Sequence, residues 1–565
     1  MKKICILLSA AMLAASCMDL SPKAQISDAQ VWSKAENFSL FANQFYGWTR
    51  DFSGCFTDGF HSDLRSDLLC SLSSVNVYSQ GTNSVPSTDS EYNGFYKKIY
   101  YTNLLLKNAE SFSNPSSIAE PVGEAYFFRA YLHFELVQRY GDVILVQEPM
   151  DIDKDQLYAK RDDRLTVVKA IIADLEKAAE LLPDTPSQNG RVCKQTANAY
   201  ISRVALYEGT WQKYHKGNTA EAKALCAQAA EAAKKVMDSN QYKLFYSEKL
   251  GGRDSYRYMF TLEDVQANPA NLTKSANTEY ILARRHDEAL KTTGVNITHA
   301  ALGNQAYVPT RKLANMYRCQ DGLPIDKSPL FQGYNGQTSE FTNRDNRMRG
   351  TLLMAGQNYW NNDEKWRTTW TDADLENSSV AGVNKQSGYF NYKWATERQV
   401  NDYNEGYDWP VIRYAEVLLN YAEALFEANG SITDEQLDES LNLVRGRANE
   451  TMTKLSNSLV SANGLDMLTE IRAERSVELF FEGFRIDDLK RWKTAETEMP
   501  MNLLGVKWSG TWYETGWADN TRPLDADGCI ILYDGRTWSE KNYLLPLPSD
   551  ERQLNSNLGQ NTGWE

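Results

Sequence analysis

Ile471-Arg-Ala-Glu-Arg-Ser-Val-Glu-Leu-Phe-Phe-Glu-Gly-Phe-Arg-Ile-Asp-Asp-Leu-Lys-Arg-Trp492 is the stretch on which the fold turns. Apolar positions recur at helical spacing from Leu468 to Phe481, and Gly483 follows as a stop. Between them stand Arg472, Glu474, Arg475, Glu478, Glu482, Arg485, Asp487 and Asp488. A glycosidase needs two carboxyl groups roughly 5 to 10 Å apart, and a helix could set Glu474 and Glu478 on one face. Each acid here, however, has an arginine one, three or four residues away. Such pairing lowers a carboxyl pKa, the wrong direction for a general acid. The alternation predicts a structural ion-pair network that ties helices together.

Helical periodicity extends outward from that stretch. It predicts helices over Glu91 to Asn108, Val122 to Tyr140 (stopped by Gly141), Leu165 to Leu182, Lys194 to Trp211 and Ala220 to Met237. Ala224, Ala227, Ala230 and Ala233 form a small-residue stripe in the last, suited to close helix approach. Helices resume at Val411 to Asn429, before Gly430, and at Asp434 to Ala448. Paired helices of this length suggest tetratricopeptide-like hairpins, whose repeat is about 34 residues. The segment between, 246–404, is rich in Gly, Asn, Thr and aromatics and shows no long helical repeat, and 496–565 is irregular again. The predicted fold class is mainly α: helical-hairpin repeats over about 40–245 and 405–495, interrupted by a large irregular, mixed insertion.

The chain has 565 residues, a net charge of −14 and 12% aromatic residues. That acidity disfavours nucleic acid and anionic membrane surfaces as partners. Lys2 and Lys3 precede an apolar run from Ile4 to Ala15 that is too short to span a bilayer. The run ends at Ala14-Ala15-Ser16-Cys17, which resembles a bacterial lipobox, so 1–16 is expected to be a signal and Cys17 the lipidated first residue of the mature protein. Cys55, Cys70, Cys193, Cys226, Cys319 and Cys529 form no CxxC pair, and the five histidines form no HExxH, so no metal or other cofactor is expected. Asp151, Asp153 and Asp155 imitate a calcium loop, but Gln156 stands where its sharp turn requires glycine.

Three further segments join 471–492 in one resemblance. These are Val411-Ile-Arg-Tyr-Ala-Glu-Val-Leu-Leu-Asn-Tyr-Ala-Glu-Ala424, Glu124-Ala-Tyr-Phe-Phe-Arg-Ala130 with Tyr140-Gly-Asp142, and the closing Leu545-Pro-Leu-Pro548 with Asn555 to Trp564. Together they resemble the SusD/RagB family of outer-membrane glycan-binding lipoproteins. The resemblance implies four tetratricopeptide-like units and an irregular region that carries the sugar site. It also implies a SusC-like TonB-dependent transporter as partner, which the lipoprotein caps at the cell surface and supplies with oligosaccharide. No catalysis is implied. The rival readings are a structural lid that binds no sugar and a glycoside-acting enzyme with dispersed carboxylates.

A sugar presents apolar C–H faces ringed by hydroxyls, so its site needs aromatic faces beside polar and charged groups. Two regions offer that mixture. One is Asp58 to Asn83, with His61, Asp63, Arg65, Asp67, Tyr78 and Asn83, where the family commonly contributes sugar contacts. Tyr78 stands there in place of the tryptophan familiar from the starch-binding member, which puts glucan specificity in doubt. The other is the irregular region, with Arg285, His286, Asn304 and Tyr307, then Tyr359, Trp360, Trp366 and Trp370 in polar sequence. Trp394 and Trp409 are expected in the core.

Overall fold

The computed structural model describes residues 31–56, 59–72, 76–150, 158–299, 307–336, 338–359, 368–369, 387–516 and 522–565. Cys17, the aspartates at 151–155, Asn304, Trp360, Trp366 and Trp370 lie outside them. Helices of eight or more residues are numbered α1 Ala35–Ala42, α2 Ser90–Ala109, α3 Ala119–Tyr140, α4 Arg164–Leu181, α5 Lys194–Trp211, α6 Thr219–Asp238, α7 Gly251–Met259, α8 Tyr414–Asn429, α9 Leu441–Ala448 and α10 Met467–Glu478. The fold is mainly α. Each of α2 to α5 packs on the next, and α6 then packs on α8, so the helical stack continues across the irregular insertion.

Side-chain caps set the helix starts. Asp89 accepts from the Glu91 and Tyr92 amides at α2, Asp163 from Leu165 at α4, and Asp466 from Thr469 at α10. Gly430, in the left-handed region at φ 73°, closes α8 as its sequence foretells. The small-residue face of α6 is shifted from the expected stripe: Ala222, Ala229, Ala230 and Ala233 are buried, whereas Ala224 and Ala227 are exposed. Close approach is real nonetheless. A Cβ at Gly209 of α5 would lie 2.7 Å from Cys226 Sγ of α6.

Two expected helices differ at their ends. Trp409–Arg413 is a strand, paired antiparallel with Tyr280–Arg284, and the helix begins only at Tyr414. Pro410 has no amide for a helix, and Val411 and Ile412 are β-branched, so tertiary pairing wins there. The helix expected over Asp434 to Ala448 breaks at Ser440 into Asp434–Asp438 and α9. The described part of the insertion carries short strands and short helices, while the strands Leu69–Cys70, Trp409–Arg413, Leu503–Lys507 and Cys529–Tyr533 lie outside it. Trp394 of the insertion stacks on Trp409, centroids 5.2 Å apart, and both are buried. All six cysteines in the described residues are free and buried.

The charged stretch is an interior network. Glu478 accepts from Arg347 Nη1 at 2.9 Å, from Arg413 Nη1 at 2.7 Å and from Arg447. Glu482 holds Lys393 and Arg413, each at 2.7 Å, and Asp488 bridges Arg475 and Arg491, each at 2.8 Å. All of these groups are buried. Burial pushes the Glu478 carboxyl upward, but Arg447, Arg413 and Arg347 outweigh it and hold the group well below the usual carboxylate range. Four elements distant in sequence meet at this one acid.

Candidate functional site

The turn that follows α10 joins the network to a cavity of about 560 Å³. Gly483 has φ 78°, and a Cβ there would lie 2.9 Å from both Cys55 Sγ and the His61 carbonyl oxygen. That close seating places Cys55 and His61 against the signature stretch. Asp487 then reaches His61, whose Nδ1 lies 2.6 Å from Asp487 Oδ2 and whose Nε2 lies 2.9 Å from Glu135 Oε2. Arg50 Nε donates to Glu135 at 2.9 Å and Arg139 Nη1 at 2.5 Å.

Arg50, His61, Glu135 and Arg139 form the floor, and Asp487 supports it from behind His61. Burial raises the Glu135 carboxyl, yet Arg50, His61 and Arg139 hold it well below its ordinary range. Asp487 is likewise raised by burial and pulled down, to about 2, by His61 and Arg50. Lys490, beneath the Phe60 ring at 4.5 Å, is pushed down to about 7 by burial, with Asp487 opposing and Arg65 reinforcing. Neither carboxylate is held in the protonated form that a general acid requires.

The walls are aromatic and cationic. Asn76 Oδ1 caps the short helix Val77–Gln80 by accepting from the Tyr78 and Ser79 amides, and Ser62 Oγ caps the turn at Asp63–Arg65. The two turns bring the Arg65 guanidinium 3.8 Å from the Tyr78 ring centroid and 4.8 Å from that of Phe60. Arg65 Nη1 also donates to the Phe60 carbonyl at 2.9 Å. Trp48, Phe95 and Lys98 also line the cavity. The half-buried rings of Trp48, Phe60 and Tyr78 thus stand beside cations and carboxylates that can hydrogen-bond in pairs.

Of the residues expected at a sugar site, Arg65 and Tyr78 line this cavity. His286 lies behind its wall: Nε2 is 2.8 Å from Asp51 Oδ1, and Nδ1 is 3.1 Å from the Thr292 carbonyl. Three others are packed inside instead. Asp63 is fully buried, and the Arg485 amide donates to it; burial raises its carboxyl to about 7 against that hydrogen bond and those from Phe481 and Gly483. Asp67 is clamped by Arg485 at 2.8 and 2.9 Å and by Lys312 at 2.8 Å. Tyr307 packs on Phe56 and Phe481. Asn83 sits half-buried on the loop beyond the cavity lining. Trp48, Phe60, Lys98 and Glu135 were missed by sequence reasoning. The run Asn43-Gln-Phe-Tyr-Gly-Trp-Thr-Arg-Asp51 carried the same aromatic and polar mixture and was the available signal.

Among the described residues, no cluster of three or more His, Cys, Asp or Glu could hold a metal ion, and no helix is long and apolar enough to cross a membrane. A family model described as the SusD family matches residues 267–564, and one described as starch-binding, associating with the outer membrane, matches residues 26–206. SusD-like protein P2 of Formosa agariphila is 25% identical over 489 residues, spanning 82% of this chain and 78% of that protein. SusD-like protein P38 of the same organism is 23% identical over 506 residues, spanning 86% and 90%. A solved SusD-like carbohydrate-binding protein of Bacteroides fragilis has a TM-score of 0.72 at 22% identity, covering 94% of this chain and 99% of that one. At that identity the likeness shows a shared fold.

Proposed function

The chain belongs to the SusD family, and from that premise we propose that it is a glycan-binding protein associated with the outer membrane, which captures oligosaccharide and delivers it to a SusC-like TonB-dependent transporter. The observation that carries the reading is the Phe60–Arg65–Tyr78 wall above a cavity large enough for a small saccharide. Aromatic faces take the C–H faces of a sugar, and Lys98, Asp51 and Arg284 supply paired partners for its hydroxyls. Reversible binding suffices, because a protein held over a transporter works at high effective concentration. Lipidation at Cys17 would provide that tether at the cell surface.

The test is calorimetric titration of soluble polysaccharides and their oligosaccharides into the chain from Met18 onward. Saturable heat from one ligand class, weakened about tenfold or more by Tyr78→Ala, is the expected result. Sustained heat without saturation would indicate turnover and overturn the binding reading in favour of an enzyme. Silence across the panel, with transporter binding intact, would favour the lid that binds no sugar.

A further inference from the structure

A second cavity, of about 450 Å³, lies across the 284–286 segment from the first. Arg284 ends a strand and lines the first cavity, while Arg285, the next residue, lines the second, as neighbouring side chains on extended backbone face opposite ways. In a chain of net charge −14, the second cavity is basic: its lining holds Arg191, Lys274 and Arg285 against the single carboxylate of Asp408. Arg191 is already matched by buried Glu124, through bonds of 2.9 and 2.7 Å. Asp408 is shared, with Lys274 Nζ at 3.0 Å, Arg285 Nε at 2.9 Å and the His286 amide at 2.9 Å. Two cations on one carboxylate leave one positive charge in excess.

Arg285 carries that excess toward solvent. Its side chain is 43% exposed, its stem runs over Gly190, and only its Nε is engaged by Asp408. The two terminal nitrogens have no partner among the described residues and form the planar fork that grips an oxyanion through two parallel bonds. Half-buried Tyr242 and Tyr280 supply ring surface in the same cavity.

We infer that this second cavity is a binding subsite for an anionic sugar unit, one bearing a carboxylate or a sulfate ester, held by Arg285 with Tyr242 and Tyr280 as its apolar wall. The saccharide part rests on the glycan-binding reading; the anion part rests on Arg285, Lys274 and Asp408 alone.

The probes are tetragalacturonic acid, a sulfated galactan tetrasaccharide and neutral galactotetraose, titrated into the full mature chain and three variants at low salt. Either anionic probe is expected to bind, and Arg285→Ala to weaken it about 10- to 100-fold. Ser275→Trp, at an exposed lining position, should block the cavity and abolish that binding without lowering the melting temperature. Which anionic probe binds tells carboxylate from sulfate. Failure of both to bind, or binding that survives Arg285→Ala and Ser275→Trp, overturns the subsite. Loss of neutral binding in Tyr78→Ala, or its absence altogether, reports on the first cavity separately.

Discussion

Glu478→Gln isolates what the buried network contributes. The substitution keeps the side-chain volume, removes one negative charge and turns an acceptor oxygen into an NH2 that faces donors. Arg347, Arg413 and Arg447 all donate to this carboxylate, which is fully buried. Removing one partner from a buried ion pair costs about 3–5 kcal/mol. Here each arginine keeps another acid: Arg347 has Asp345 and Glu474, while Arg413 and Arg447 share Glu279. No guanidinium is stranded, which places the expected loss at the low end, ~3 kcal/mol. Urea unfolding followed by tryptophan fluorescence should show a lowered midpoint at unchanged slope. Lys107→Gln, which breaks the exposed pair with Glu110, should leave the midpoint where it is. A loss below about 1 kcal/mol for Glu478→Gln would refute the claim that this acid holds four segments together.

Asp63 makes a prediction of opposite sign. Its folded pKa is raised to about 7 by burial, so between about pH 4 and pH 7 the folded chain keeps a proton that the unfolded chain has lost, and stability falls as pH rises through that window. Asp63→Asn removes this liability, so its stability relative to the parent should climb from pH 4 to pH 7 and level off above; a difference independent of pH refutes it. Gly483→Ala must place a methyl group against Cys55 and His61 at φ 78° and should cost at least ~2 kcal/mol, read as a lowered melting temperature. An unchanged melting temperature would show that the turn can yield.

The helical stack was legible because its period is local: α2 to α6 each repeat their apolar residues every three or four positions, Gly141 marks the end of α3 and Gly430 that of α8. The network was legible in kind, since acids flanked by arginines on one helix favour pairing over catalysis. Its partners were not. Arg347, Arg413 and Arg447 come from three other segments, and nothing in the spacing of 471–492 names them. The site was half legible for the same reason. Arg65 and Tyr78 belong to one short segment of visible aromatic and polar character. His61 and Asp487 lie 426 residues apart, and only the folded chain joins them. Asp63, Asp67 and Tyr307 share the composition of a binding loop, and composition does not reveal which way a side chain turns.

The same charges that hold the fold also shape the candidate cavity. Arg485 grips Asp67, Asp487 grips His61, and Gly483 lets Cys55 and His61 lie against the turn. Three residues of one short stretch thereby fix both ends of the loop on which Phe60 and Arg65 stand. The rim is different in kind: Trp48 and Tyr78 sit on short turns at the surface, each held by local backbone bonds. Substitutions at the rim therefore alter what the cavity accepts at small cost to stability, whereas substitutions in its floor are felt first as unfolding. A variant with changed ligand preference and an unchanged melting temperature should accordingly map to the rim residues Trp48, Tyr78 or Lys98. Changes at His61, Glu135 or Asp487 should lower both together, because His61 and Glu135 line the cavity and Asp487 ties them to the signature stretch.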